Sequence, residues 1–307
     1  PFALLPLADV WPDWKTPWGR TAREEAAHWR WSSNPPFETK RTGYSLTELM
    51  GIVNITPDSF SDDGALKHDS IAPVSEIIAA HLNAGCTILD FGAESTRPGG
   101  VALTPQEEWA RLEPVLKNLQ PAPFKFSLDS RHSETVERAL EFGLDWINDV
   151  TGFASLTMRD AAVRSGKTVV AMHSLTVPVR RDTVLSDDAD PLELILRWGF
   201  EKIEELEKAG VARERIILDP GIGFGKTPRQ NLYLLQNASR FHEWGVGVLV
   251  GHSRKSFMAE LTGRPPLERD FETAMFSAKL AEAGIEYLRV HDSELNARAI
   301  SAGGFLE

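Results

Sequence analysis

The sequence contains a single cysteine, Cys86, and therefore cannot form an internal disulfide bond. It has no apolar run long enough for a membrane span, and its opening does not resemble a secretory signal. No two histidines have the spacing of a zinc site. These absences argue against a disulfide-rich secreted protein, a membrane protein and a structural zinc site, and they predict a cytoplasmic location.

Positive charge is scarce as well. The 33 lysine and arginine residues are outnumbered by 44 acidic residues, the formal net charge is −11, and no basic run occurs. This charge disfavours binding to nucleic acid or to an anionic membrane, so anionic ligands would have to be met by local cations in a cleft. The 307 residues, 42% of them hydrophobic, suffice for one large α/β barrel or two medium domains.

Eight short apolar runs repeat along the chain, each ending in polar residues and each followed by a helix-like segment. They are MGIVNITPD, TILDFGAES, FSLDS, WINDV, VVAMHS, IILDPG, VLVGHS and YLRVHD. Apolar runs separated by amphipathic helices indicate parallel strands covered by helices. The eight units predict a closed (β/α)8 TIM barrel over residues 45–307, preceded by an irregular, tryptophan-rich extension over residues 1–44.

Polar residues gather at the predicted C-terminal ends of these strands, where barrel enzymes form their active sites. Some must be helix caps or turn residues, but polar groups at all eight ends predict a common site. The set comprises Asn54, Asp58, Glu94, Thr96, Arg97, Asp129, Asn148, Asp149, His173, Asp219, Ser253, Arg254, Lys255, Arg289, His291 and Asp292.

Three of these residues, Asp129, Asn148 and Asp219, end three different strands. A carboxylate accepts two parallel N–H bonds, and an asparagine both donates and accepts, so together they can bind the edge of a flat heterocycle rich in N–H donors. The alternative is that they are three unrelated caps.

Cations at the same face suit anionic groups. Arg97, Arg289 and His291 can bind phosphate oxygens, the alternative being surface salt bridges. Lys255 and Ser256 follow VLVGHSR at a predicted helix start, where backbone N–H groups attract a carboxylate or phosphate. Ser256 could equally be only the helix cap. A magnesium ion held mainly by ligand phosphates needs a single protein oxygen and would leave almost no motif.

The stretch DPGIGFGK, residues 219–226, looks at first like a phosphate-binding loop. Pro220 stands where a P-loop needs its first glycine, and Lys226 stands where a dinucleotide-binding loop needs its third. The glycine spacing therefore favours a flexible turn after a strand.

These residues resemble, in order, the motifs of dihydropteroate synthase from about Leu49 to Asp292. MGIVNITPDSFSDDG is similar to the family's first signature, ESTRPGG to its second loop, DPGIGFGK to its sixth strand end, SRKSF to its seventh and RVHD to its eighth. The resemblance implies an enzyme that joins para-aminobenzoate to 6-hydroxymethyl-7,8-dihydropterin pyrophosphate. The products would be 7,8-dihydropteroate, for folate synthesis, and pyrophosphate. It also implies a homodimer formed through outer helices.

Carried over position by position, the resemblance implies three overlapping groups of site residues and a set of catalytic ones. The pterin would be held by Asp129, Asn148, Met172, Asp219 and Lys255. Pyrophosphate would be held by Asn54, Thr96, Arg97, Arg289 and His291, with Mg²⁺ on Asn54. Para-aminobenzoate would contact Thr96, Pro98, Phe224, Lys255 and Ser256. The catalytic residues would be Asn54, Arg97, Lys255, Arg289 and His291, and Lys226 would be an ordinary loop lysine.

Two residues depart from the family's pattern. Ser174 stands where a second methionine is common, and His252 stands where threonine is expected. Neither is an implied ligand, so the resemblance leaves the fine shape of the pterin pocket and the sulfonamide affinity open.

The opening PFALLPLADVWPDWKTP, residues 1–17, resembles the closing segment of 6-hydroxymethyl-7,8-dihydropterin pyrophosphokinase, which makes the expected substrate. This resemblance implies a bifunctional kinase–synthase. The alternative is an unrelated extension that packs its tryptophans on the barrel, and the upstream reading frame distinguishes the two.

Two other functions compete with the synthase. A methyltetrahydrofolate methyltransferase would need the pterin residues but has no use for STRPG and SRKSF. A catalytically silent scaffold, with the tryptophan-rich extension as its docking segment, predicts that strand-end ligands are lost. The motifs are present and the ligands are retained, so the sequence favours the synthase.

Overall fold

The structure is a computed structural model that describes residues 13, 15, 21, 22, 24, 47–55, 72–94, 102–119, 123–180 and 182–303. The chain divides into two compact units, Pro1–Leu46 and Thr47–Glu307. This division falls close to the boundary predicted between the extension and the barrel. The role of residues 1–44, and the kinase resemblance of residues 1–17, fall mostly outside the described residues and stay predictions.

Eight parallel strands close into a barrel in chain order, and β1 pairs with both β2 and β8. This confirms the predicted (β/α)8 architecture, and each strand coincides with one of the apolar runs. The strands are β1 (Glu48–Asn54), β2 (Ile88–Gly92), β3 (Lys125–Asp129), β4 (Trp146–Asp149), β5 (Thr168–Met172), β6 (Ile216–Asp219), β7 (Gly247–Val250) and β8 (Tyr287–Val290).

Helices follow the strands and cover the barrel. The helix Pro191–Ala209 has clear end signals: Asp190 caps its first turn by accepting from the N–H of Leu192 at 2.7 Å, and Gly210 ends it in a left-handed conformation. The described helices are α1 (Ala72–Asn83), α2 (Pro105–Lys117), α3 (Ser133–Ala139), α4 (Leu156–Ser165), α5 (Pro191–Ala209), α6 (Pro228–Gln236), α7 (Phe257–Thr262), α8 (Asp270–Glu282) and α9 (Ser293–Gly303). Within the described residues, none of these helices combines the length and the apolar character needed to cross a membrane.

The strands are buried on both faces, which explains their near-continuous apolar runs. One face packs against the helices, and the other fills the barrel with an apolar plug, which consists of Met50, Ile88, Trp146, Val170, Ile217 and Leu249 with Tyr287 against them. Side chains on a strand alternate, so the residue two positions after a plug residue points inward directly above it. On five strands that residue is Asp90, Asn148, Met172, Asp219 or Arg289. The plug therefore supports the floor of the candidate site.

Candidate active site

A buried ion network forms this floor. Arg289 Nε donates to Asp90 Oδ2 at 2.5 Å, and the same guanidinium donates through Nη2 to Asp129 Oδ2 at 2.7 Å. Asp90 also accepts from Ser127 Oγ at 2.5 Å and from Asn148 Nδ2 at 3.0 Å. Burial raises the pKa of Asp129 to about 7 despite the adjacent guanidinium, because Asp90 shares that cation. The network joins strands β2, β3, β4 and β8 into one rigid surface.

Asp90 is a central member of this network that the strand-end criterion does not select, because it lies inside β2. Its side chain is fully buried. An aspartate in the apolar run ILDFG does carry a signal, since a charged residue at a buried strand position requires a paired partner. The sequence does not reveal that Arg289 is that partner, because the two residues are 199 positions apart.

Three acceptor oxygens on the floor remain open. Asp129 Oδ1, Asn148 Oδ1 and Asp219 Oδ2 accept from no group in the described part of the chain, whereas the other polar atom of each side chain is already bonded. Asp129 pairs in register with Asn148, so these two acceptors lie on neighbouring strands. This arrangement brings together the residues that the sequence predicts for the edge of a donor-rich heterocycle.

Asp219 is held with one oxygen turned toward its own loop. Its Oδ1 accepts from the N–H of Gly221 at 2.7 Å, and burial raises the pKa of the carboxyl to about 6. A Cβ added at Gly251 would lie 3.4 Å from Asp219 Oδ2, so the absence of a side chain there keeps that oxygen accessible. Oδ1 of Asp219 is therefore held by the turn, and Oδ2 is available to a ligand.

An apolar wall stands beside the acceptors. Val150, Met172 and Phe224 form a separate buried cluster, and Lys255 Nζ lies 4.1 Å from the centre of the Phe224 ring. A cation over an aromatic face is electrostatically favourable. The structure thus places Met172, Phe224 and Lys255 together, as the resemblance implies.

The loop after β6 is a tight turn, as its glycine spacing predicts. Gly221, Gly223 and Gly225 have left-handed φ values of 68°, 85° and 66°. A Cβ at Gly221 would lie 1.8 Å from the carbonyl oxygen of His173, so only glycine fits this position. Lys226 ends the loop, but its side chain is buried in the protein. Lys226 is therefore a loop lysine, as expected, but one whose side chain is buried against protein acceptors.

The predicted pyrophosphate residues are only partly described. Asn54 ends β1 and is half-buried, and His291 Nδ1 lies 2.9 Å from Ser253 Oγ just after β8. Two N–H groups of Arg289 bind carboxylates, which leaves only part of its guanidinium for an anion. The remaining residues of this face, for which no placement is described, are Asp58, Thr96, Arg97 and Pro98.

The SRKSF segment is anchored from α8. Arg254 adopts a left-handed φ of 57° and makes two bonds to Asp270, at 2.6 and 2.7 Å, and Arg269 Nη1 donates to the carbonyl of Lys255 at 3.3 Å. Ser256 occupies the cap position of α7 but makes no capping bond and is exposed. Its hydroxyl can therefore serve a ligand.

Several other strand-end residues have structural roles, as the cap interpretation anticipates. Asp149 accepts from the N–H groups of Thr151 and Phe153 at 2.8 and 2.9 Å. Asp292 caps α9 by accepting from the N–H of Leu295 at 2.9 Å. Their carboxylates stabilise the turns in which they lie.

The two departures from the family pattern lie at the rim and outside the pocket. Ser174 Oγ donates to the carbonyl of Val150 at 2.9 Å and so ties β5 to β4. His252 is fully buried, with Nε2 2.9 Å from Ser277 Oγ on α8. Burial lowers the pKa of His252 to about 4 and keeps it neutral. The His252 side chain therefore contributes to the packing of α8 against the barrel.

A magnesium ion would be compatible with the donor chemistry of this face. The described residues contain no cluster of three His, Cys, Asp or Glu side chains able to hold a metal. Asn54 offers one amide oxygen at the end of β1, and its side chain has no hydrogen-bond partner in the described ranges. A single hard oxygen suits an ion whose other ligands are phosphates and water.

Comparison with known proteins agrees with this geometry. Residues 50–291 match the family described as pterin binding enzyme. This match covers most of the chain and all eight strands except the first two residues of β1, and the chain therefore belongs to the pterin binding enzyme family.

Individual relatives identify a narrower family within the pterin binding enzymes. The chain is 35% identical over 249 residues to dihydropteroate synthase of Escherichia coli K12, covering 81% of this chain and 87% of that protein. The crystal structure of Xanthomonas albilineans dihydropteroate synthase with 4-aminobenzoic acid has a TM-score of 0.77 and 34% identity, covering 84% of this chain and 92% of that one. The chain belongs to the dihydropteroate synthase family.

A longer relative is also similar. The folate synthesis bifunctional protein of Chlamydia trachomatis is 40% identical over 273 residues, covering 85% of this chain. The chain spans 60% of the length of that protein.

Proposed function

We propose that this chain condenses 6-hydroxymethyl-7,8-dihydropterin pyrophosphate with para-aminobenzoate to give 7,8-dihydropteroate and pyrophosphate. The observation that carries the proposal is the set of three open acceptors on Asp129, Asn148 and Asp219 beside the wall formed by Met172 and Phe224. Membership of the dihydropteroate synthase family supports the same reaction.

The acceptors match the pterin. Its pyrimidine edge presents an amino group and a ring N–H side by side, and Asp219 Oδ2, the oxygen that the turn leaves open, can accept from this edge. Asp129 and Asn148 would bind the remaining polar edge, while Met172 packs on the flat face of the ring. Because the floor is held by the Arg289 network, little reorganisation is needed when the ligand binds.

The second substrate would lie above the pterin. The Phe224 ring would pack on the aminobenzoate ring, and Lys255, already against Phe224, would bridge the two substrates. The hydroxyl and backbone N–H of Ser256 would bind the carboxylate. The amine of para-aminobenzoate would then face the exocyclic methylene of the pterin.

The reaction breaks the bond between this methylene and the pyrophosphate oxygen and forms a carbon–nitrogen bond to the amine, which loses a proton. The electron-rich dihydropterin can stabilise a cationic methylene, so departure can precede attack. His291 and the remaining N–H groups of Arg289 would stabilise charge on the leaving group. Mg²⁺ bound through Asn54 would neutralise further negative charge on pyrophosphate.

Measuring dihydropteroate and pyrophosphate from the two substrates, with magnesium and with EDTA, tests the proposal. We expect stoichiometric products that depend on both substrates and on magnesium. Product that persists in EDTA would contradict the magnesium proposal alone. Absence of product in the presence of tight pterin binding would contradict the synthase and favour the methyltransferase or the scaffold.

A homodimer is proposed as well, formed through an apolar patch. Leu261, Leu267, Phe271 and Met275 are 51%, 77%, 68% and 52% exposed, and the last two share one face of α8. Exposed apolar side chains concentrated between residues 261 and 275 favour a protein–protein contact. The homodimer that the family resemblance implies supports a second copy of this chain as the occupant.

Sedimentation velocity tests this contact. Phe271→Glu should convert the dimer to a monomer, because it would place two carboxylates in the apolar contact. Phe200→Glu, which alters a 47% exposed aromatic on α5, is the matched control and should remain dimeric. A wild-type protein that sediments as a monomer would contradict the proposal.

We propose that this chain is the synthase part of a bifunctional kinase–synthase. The support is the resemblance of residues 1–17 to the end of a pyrophosphokinase, together with the similarity to a bifunctional folate synthesis protein. A cytoplasmic location follows from the same pathway and stays a proposal.

A further inference from the structure

Lys226 is the residue whose placement the proposed reaction does not explain. Its side chain is buried at the end of the loop after β6, and Nζ lies within hydrogen-bond distance of three acceptors. These are the carbonyl oxygen of Gly221 at 2.8 Å, the carbonyl oxygen of Phe224 at 2.9 Å and His173 Nδ1 at 2.9 Å. A lysine ammonium has three N–H donors, so the number of donors matches the number of acceptors.

The neutral ring of His173 is consistent with this donor pattern, whereas burial opposes the charged form of Lys226. Burial, and then the Lys226 ammonium, lower the pKa of His173 to about 3, so its ring is neutral and Nδ1 can accept. Burial lowers the pKa of Lys226 to about 7, while the carboxylate of Asp219 favours the charged form and Lys255 opposes it. No acidic side chain forms an ion pair with Lys226 in the described residues.

The groups that Lys226 binds belong to both walls of the pocket. Gly221 and Phe224 are the two ends of the turn after β6, which is closed by the bond from Phe224 N–H to Gly221 oxygen at 3.0 Å. His173 directly follows Met172 at the end of β5. Lys226 thus ties the segment that carries Phe224 to the segment that carries Met172.

The turn itself has little intrinsic preference for one shape. Its two glycines, Gly221 and Gly223, and the adjoining Gly225 are left-handed and have access to many backbone conformations, and glycine loses more conformational entropy on ordering than any other residue. Contacts from outside the turn must therefore select the conformation that presents the Phe224 ring. A charge-assisted bond to the Phe224 carbonyl is the most direct such contact.

We propose that Lys226 is a positioning residue for the second substrate: it holds the turn so that the Phe224 ring faces the para-aminobenzoate site. This inference rests on the proposed synthase function. It assigns Lys226 no contact with either substrate and no part in proton transfer. The pterin acceptors on Asp129 and Asn148 should be independent of it, because other strands carry them.

Steady-state kinetics and pterin binding of Lys226→Met and Lys226→Gln test the proposal. We expect the KM for para-aminobenzoate to rise about tenfold or more, since a small displacement of a positioning group is costly. The dissociation constant of the pterin pyrophosphate should stay within about threefold of wild type, because Asp129 and Asn148 lie on other strands and Asp219 keeps its own bond from the N–H of Gly221. The matched control is Lys202→Met, which removes another largely buried lysine, bonded to Glu205 on the outer helix α5, and should change neither constant.

A double-mutant cycle with Phe224→Ala separates positioning from a general loss of structure. If Lys226 acts through the Phe224 ring, Lys226→Met should raise the KM by less than about threefold once that ring is absent. If the KM of the double variant rose by the product of the two single-variant effects, the assignment would be overturned. Loss of pterin binding in both Lys226 variants would also overturn it. An inactive wild-type protein would instead contradict the synthase function, whereas an active wild type with unchanged KM in both variants would contradict only the role of Lys226.

Discussion

Replacing Arg289 by alanine is expected to lower both turnover and stability. The substitution leaves Asp90 and Asp129 as buried carboxylates without their shared cation, and breaking a buried ion pair in this way costs about 3–5 kcal/mol of unfolding free energy. Loss of a preorganised donor near the departing pyrophosphate should lower kcat by about 100-fold or more. Urea denaturation and single-turnover kinetics measure the two effects.

Two companion variants separate these effects. Arg159→Ala removes an arginine with the same 19% side-chain exposure, paired with Glu205 on the outer helices, and should leave turnover intact. Arg289→Ala combined with Asp90→Asn should regain part of the lost stability, because one unpaired charge is gone, but none of the turnover. If Arg289→Ala kept its turnover and weakened only pterin binding, charge stabilisation by Arg289 would be wrong.

Asp219→Asn is expected to weaken pterin binding by about 100-fold or more, because it replaces charge-assisted N–H bonds and sets an amide donor against the donors of the ligand. Isothermal titration with the pterin pyrophosphate measures the change. Asp149→Asn is the matched control. Asp149 is also a buried strand-end aspartate, but its oxygens already accept from the N–H groups of Thr151 and Phe153. It should lower stability while leaving pterin affinity nearly unchanged.

The same carboxylates predict how binding and stability depend on pH. The folded-state pKa values of Asp219, about 6, and Asp129, about 7, are raised above their ordinary values by burial. Their contribution to stability is therefore present at low pH and lost as the pH rises through about 6 to 7. Pterin affinity should change in the opposite direction, because the acceptors must be ionised. In Asp219→Asn the step near pH 6 should disappear, and an affinity that is flat in wild type would contradict the assignment.

The barrel and much of the floor can be predicted from sequence because both depend on local pattern. A strand buried on both faces must be apolar nearly throughout, so eight such runs with helices between them predict the closed sheet. Asp129, Asn148 and Asp219 stand at strand ends, and strand ends of a barrel meet at one face. Their convergence therefore follows from connectivity alone, and the structure confirms it.

The partners of the charged groups depend on the three-dimensional arrangement. Asp90 and Arg289 are far apart in sequence, yet the closed barrel places β2 and β8 on either side of β1, so both side chains point into the same interior. Lys226 is similar, because its three acceptors come from a turn and from another strand end.

The sequence by itself determined the barrel, the strand ends that carry the open acceptors, and the family. Each depends on periodicity and chain order, which a linear pattern contains. Only the tertiary structure decided that Arg289 is shared by two carboxylates and that Lys226 is turned inward to brace Phe224. Those choices depend on which groups the closed barrel brings within about 3 Å of one another, a distance that hydrogen bonds require and that sequence spacing does not encode.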